Sequence, residues 1–209
     1  MKMDPALIIF DFDGTIVDSK ALYYGSISNV LKKYGFGEEK IEETIDLGIK
    51  LKGILEELGF SWLSRWWVRR KIMKDVLERI GDVKKCKDVS AIEELDTRKI
   101  LITNSLAEFV MPVLDKLGIR NYFSEIYTAE GFDNKAKFIN DYLERRDLDK
   151  EKCVYVGDRV ADIGVAEKVG CLSLVVAGKC AWDSREELLE KEPDFIIDDL
   201  VELEEMLGA

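Results

Sequence analysis

Five stretches of the chain are apolar, rich in β-branched residues and too short for helices: "ALIIFDFD", "KILITNS", "KCVYVGD", "CLSLVVAG" and "DFIIDD". A sixth, "EIYTAE", carries the same signal more weakly. Between them, "AEFVMPVLDKLG" and "AKFINDYLERRD" space their apolar residues at helical period. Strands of unbroken apolar character alternating with helices predict an α/β fold, a doubly wound parallel sheet with helices on both faces. In such sheets ligands gather beyond the carboxyl ends of the strands.

The alternation fails in one place. From about Ser19 to Asp88 no strand run occurs, and "ALYYGSISNVLKKYG", "EKIEETIDLGIKLKGILEELG" and "LSRWWVRRKIMKDVLERIG" repeat at helical spacing. The expected organisation is a core of residues 1–18 and 89–209 with residues 19–88 inserted as an all-helical domain. Within the insert, "FSWLSRWWVRRK" crowds Trp62, Trp66 and Trp67 beside Arg65, Arg69 and Arg70. Trp62 and Trp66 lie four apart, so they are expected to pack the interior of the insert, with Trp67 on a different, exposed face.

The polar residues that end the runs change the picture from fold to chemistry. Asp11 and Asp13 flank one residue at the end of the first run, so an extended backbone sends both side chains to one face. Two neighbouring carboxylates repel unless a cation or a proton sits with them. A hard divalent ion would satisfy one and a proton the other, the arrangement a nucleophilic carboxylate with an adjacent acid needs. The competing reading is an ordinary Asp-Gly turn. Thr103, Asn104 and Ser105 end the second strand and offer a hydroxyl and backbone N–H groups to an anion, or simply cap the next helix. Lys135 opens a helical segment after the weak strand and is favoured over Lys137 as the charge that would stabilise a bound anion. Asp158 and Asp162 follow "CVYVG" and repeat the acidic pattern of the first strand, Asp162 doubling as a helix cap.

Composition narrows the options. The chain has 209 residues and a formal charge of -11, which disfavours nucleic acid and anionic membranes as partners. No segment has the apolar length of a membrane span, and no basic leader precedes the first strand, so a cytoplasmic protein is expected. The four cysteines show no metal-binding spacing and are expected to be reduced. With no histidine in the chain, hydrolytic schemes that use an imidazole base are excluded.

Asp11-Phe12-Asp13-Gly14-Thr15, then Thr103, Lys135, and Gly157-Asp158 with Asp162, each after an expected strand, together resemble the four motifs of the haloacid dehalogenase superfamily. The resemblance covers essentially the whole chain, with the helical insert at the position of a C1-type cap. It implies that Asp11 is a nucleophile, Asp13 the acid and base, Thr103, Asn104 and Lys135 the phosphate-binding groups, and Asp11, Asp13, Asp158 and Asp162 the surroundings of Mg2+, Asp13 through its backbone carbonyl. The implied activity is hydrolysis of a small phosphorylated metabolite, phosphoglycolate-phosphatase-like, by a monomer or homodimer. Two alternatives stay open: a sugar phosphomutase of the same superfamily and a non-catalytic protein that binds phosphate or a partner.

Overall fold

The computed structural model describes residues 3–46 and 51–207. In chain order it contains β1 (Leu7–Phe10), β2 (Val17–Asp18), α1 (Lys20–Lys33), α2 (Glu38–Asp46), α3 (Leu51–Glu57), α4 (Trp62–Glu78), β3 (Lys84–Lys85) and α5 (Ala91–Glu94). There follow β4 (Lys99–Ile102), α6 (Ala107–Leu117), β5 (Glu125–Tyr127), α7 (Lys135–Arg145), β6 (Cys153–Gly157), α8 (Val160–Val169), β7 (Leu172–Val176), α9 (Arg185–Leu189), β8 (Phe195–Ile197) and α10 (Leu200–Leu207).

Six strands form one parallel sheet in the order β5-β4-β1-β6-β7-β8. All four residues of β1 are fully buried, because helices cover both faces of the sheet. Leu7 and Ile9 join Ile139, Tyr142 and Leu143 of α7 and Ala166 and Val169 of α8 in one apolar layer. On the opposite parity Phe10 meets Phe123 edge to face, and just beyond the strand Phe12 meets Phe109 of α6 in the same way. The chain builds outward from β1 to β4 and β5, then returns to β6 on the other side. Strand order therefore reverses at β1, and the crevice beyond its carboxyl end is where such a sheet places a ligand.

The chain divides into two compact units, one of residues up to Lys20 and from Lys84 onward, the other Ala21–Val83. The second unit is helical. Its middle segment, read from the sequence as one helical stretch, consists of α2 and α3; residues 47–50 lie outside the described residues. Ser61 caps α4 by accepting the Ser64 N–H at 3.3 Å.

Two expectations are overturned. Trp62 and Trp66 do not pack inside: they are 72% and 52% exposed, as Trp67 is at 59%. The buried stripe of α4 is Val68, Ile72 and Val76, spaced four apart; Trp66 projects well away from it, and Trp62 stands at the first position of the helix, before the stripe begins. Arg70 covers part of Trp66 at 5.0 Å from the ring centroid. Nor are all four cysteines reduced. Cys86 and Cys180, 94 residues apart in sequence, are joined in a disulfide, while Cys153 and Cys171 are free and buried. The fold brings the return from the helical unit beside the loop after β7, a proximity no sequence spacing announces.

Candidate active site

The carboxyl ends of β1, β4 and β6 and the start of α7 converge on one polar cluster. Asp11 follows β1 and continues its ladder, its N–H donating to the Val156 carbonyl at 2.8 Å. Thr103 follows β4 in the same manner, its N–H donating to the Tyr127 carbonyl at 3.0 Å. Asn134 caps α7 by accepting the Lys137 N–H, which sets Lys135 on the first turn. Lys135 is buried and Lys137 exposed, so the ammonium at the site is that of Lys135.

Lys135 Nζ donates to Asp11 Oδ1 at 2.7 Å and to the Tyr155 hydroxyl at 2.9 Å. Tyr155 in turn donates to Asp162 Oδ1 at 3.1 Å. The second oxygen of Asp162 accepts the N–H groups of Asp158 and Arg159, at 3.3 and 3.1 Å. Asp162 thus sits in the first turn of α8, two residues inside its start, and caps the helix from there by accepting the N–H of Arg159, the residue before the helix. Gly157 leaves room for this turn: a Cβ there would lie 2.5 Å from Asp162 Cγ.

Asp158 is fully buried and held from two sides. Thr15 Oγ1 donates to its Oδ1 at 2.9 Å, and the Trp182 N–H to its Oδ2 at 2.7 Å. Gly14, at φ +81°, makes the approach possible, since a Cβ would fall 2.1 Å from Asp158 Oδ2 and 2.5 Å from the Trp182 ring.

Asp11, Asp158 and Asp162 each bring a carboxylate oxygen within 4.8 Å of the others, and all three are buried. Asp13 is outside this group. Ser19 Oγ donates to its Oδ1 at 2.6 Å, and Ser105 Oγ to its Oδ2. The two aspartates of the first motif therefore occupy different environments: one faces an ammonium and two carboxylates, the other two hydroxyls.

Electrostatics follow from crowding and burial. Burial, then Asp162 and Asp11, push the Asp158 carboxyl well above its usual range. Burial and Asp11 raise Asp162 to about 6, against the pull of Lys135. Burial lifts Asp13 to about 6 although Ser105 and Ser19 favour its charged form. Burial opposes the charge of Lys135, but Asp11 and Asp162 outweigh it and hold its pKa above the ordinary value. Three buried carboxylates sharing one ammonium are under-compensated. An oxygen-only donor set of this kind suits a hard divalent cation, and the site fits Mg2+ on that ground.

Tyr155, Ser19 and Trp182 are the groups that sequence reasoning did not single out, and Ser105 was noted only as part of a polar run. Tyr155 stands inside an apolar strand and reads there as core; its signal is strand parity, which puts it on the same face as Gly157. Trp182 acts through its backbone, so its side chain carries no signal. Asn104 is exposed just past Thr103.

The family model for haloacid dehalogenase-like hydrolase matches residues 8–176. A phosphoglycolate phosphatase of Vibrio cholerae is 34% identical over 110 residues, 51% of this chain and 48% of that protein. One from Vibrio parahaemolyticus is 24% identical over 228 residues that span 100% of this chain and 98% of it. A haloacid dehalogenase-like family hydrolase of known structure from Streptococcus pneumoniae superposes with a TM-score of 0.80 at 21% identity, covering 95% of this chain and 96% of its own, and so shares the fold. With the family match spanning most of the core and the site lying at the strand ends it covers, the chain belongs to the haloacid dehalogenase-like hydrolases.

Proposed function

We propose that this protein is a magnesium-dependent phosphatase that hydrolyses a small phosphorylated metabolite, of the phosphoglycolate kind, through a phosphoenzyme formed on Asp11. The observation that carries the proposal is the buried contact of Lys135 with Asp11 beside Asp158 and Asp162. A carboxylate is a competent nucleophile toward phosphorus only if the charge gathering on the phosphoryl oxygens is neutralised. Lys135 is placed to do that, and Asp11, Asp158 and Asp162 would hold a cation. When bound, Mg2+ would screen substrate and nucleophile from each other.

Each remaining residue has a role that its contacts support. Thr103 Oγ1 accepts the Ser105 N–H at 3.0 Å, which leaves its own proton to donate to a phosphoryl oxygen. Asp13 stands clear of the carboxylate group, and a pKa of about 6 lets it give up a proton in the first step and take one back in the second. In the first step an Asp11 oxygen bonds to phosphorus while the ester oxygen leaves with the proton of Asp13. In the second a water attacks the same phosphorus, returns its proton to Asp13, and frees Asp11 and inorganic phosphate. The helical unit stands in the chain position of a C1-type cap and is proposed to select the organic part of the substrate. No helix among the described residues is long and apolar enough to cross a membrane, and a cytoplasmic setting forms part of the proposal.

Phosphate release from p-nitrophenyl phosphate and from phosphoglycolate, with Mg2+ and with EDTA, tests the reading. Release that EDTA stops and added Mg2+ restores is the expected result. Release indifferent to EDTA, or none from folded protein, would overturn it.

A further inference from the structure

Cys86 and Cys180 lie at the edge of the site but have no part in the chemistry above. Cys86 follows β3, and its N–H donates to the Ile16 carbonyl at 3.0 Å, while its sulfur lies 3.7 Å from the Gly14 carbonyl oxygen. Cys180 belongs to the loop between β7 and α9. Two residues further on, that loop delivers the Trp182 N–H to Asp158. The bridge therefore ties the stretch beside Gly14 to the loop that holds Asp158.

The bridge is also reachable. Cys86 is buried but Cys180 is half-buried, and both line a cavity of about 320 Å³ with Thr15, Gly178 and Lys179. That volume is large enough for a small thiol beside the bridge. In a cytoplasm a disulfide is usually transient or redox-sensing outside disulfide-rich hyperthermophiles, so an accessible one against a catalytic loop calls for a role.

We infer that Cys86–Cys180 is a thiol–disulfide exchange site, opened by small thiols through this cavity, that sets how firmly the loop around Trp182 holds Asp158. A thiolate attacks Cys180 Sγ, forming a mixed disulfide and releasing Cys86 as a thiolate that takes a proton from water. A second thiolate attacks the sulfur of the first thiol, frees Cys180 as a thiol after protonation, and leaves as the oxidised disulfide. Two electrons pass from the two small thiols to the bridge. The loop then keeps its non-covalent ties, among them Lys20 Nζ to the Trp182 carbonyl at 2.9 Å, Arg159 over the Trp182 ring, and Asp183 to the N–H of Val160 and the side chain of Arg159. The exchange site rests on the proposed cytoplasmic setting, and the consequence for metal binding on the reading of Asp158 as a ligand.

The test uses the full chain, purified oxidised and treated in native buffer with reduced glutathione. Alkylation of Cys86 and Cys180 located by mass spectrometry, together with hydrogen exchange at the Trp182 amide faster by roughly tenfold, is expected. The Mg2+ concentration for half-maximal phosphate release should rise alongside. Cys180→Ser, with Cys86→Ser as a second variant, should exchange at Trp182 like the reduced protein without any thiol. A bridge that opens only in denaturant, or a Trp182 amide indifferent to its opening, would overturn the inference. Faster exchange with an unchanged Mg2+ requirement would overturn the link to Asp158. Absence of any Mg2+-dependent release would instead count against the proposed function, leaving alkylation and exchange to decide the inference.

Discussion

The two units of this chain dispose of their awkward residues in opposite ways. Around β1 the α/β unit buries charge: Asp11, Lys135, Asp158 and Asp162 are all nearly solvent-free, and each has named partners. The helical unit exposes apolar bulk instead, with Trp62, Leu63, Trp66 and Trp67 all more than half exposed on α4. Burying charge costs several kcal/mol per ion and is tolerated only where partners and geometry offset it. Exposed rings cost little. The contrast locates chemistry in the first unit and leaves the second free to vary its surface, and it can be tested residue by residue.

Asp11→Asn should cost most. Phosphate release should fall ~10³-fold or more while the circular dichroism spectrum is unchanged. Turnover that persists in this variant would remove Asp11 as nucleophile and with it the reason for the buried charges. Ile72→Ala comes next in energy and lies in the other unit. It cuts into the buried stripe of α4 and should lower stability by ~2–5 kcal/mol in denaturant titration. A small loss would mean that the helical unit is loosely packed as well as apolar outside.

Tyr155→Phe sharpens the comparison inside the site. The hydroxyl it removes links Lys135 to Asp162, so kcat should drop ~5–100-fold with KM nearly unchanged, the size of two lost hydrogen bonds. A change confined to stability would make Tyr155 core and nothing more. Trp66→Ser should matter least. With the ring half exposed, stability should move by no more than ~0.5 kcal/mol. A large loss would show that this surface is covered in the working protein.

Much of the α/β unit was legible because its signals are local. "LIIF", "KILI", "CVYVG", "LSLVV", "EIY" and "FII" are strands in the structure, as apolar runs between helical segments predict. Acidic residues at strand ends stood out as costly without a purpose, and the structure brings Asp11, Asp158 and Asp162 together with Lys135. The tryptophans misled because spacing four apart identifies a helical face but not which face is inward. That choice went to Val68, Ile72 and Val76, whose stripe runs further along α4.

The sequence by itself determined the six strands of the parallel sheet, the helical segments between Ser19 and Asp88 and the carboxylates at the strand ends, since each depends on neighbours a few positions away, but not the short antiparallel pair of β2 and β3. Only the tertiary structure decided that Asp11 and Asp13 part company, that Tyr155 links Lys135 to Asp162, that Trp182 lends its backbone to Asp158, and that Cys86 reaches Cys180. Those pairings join strands and loops far apart in the chain. Their distances are set by sheet order and by how the loops close over it, and neither is written in local periodicity.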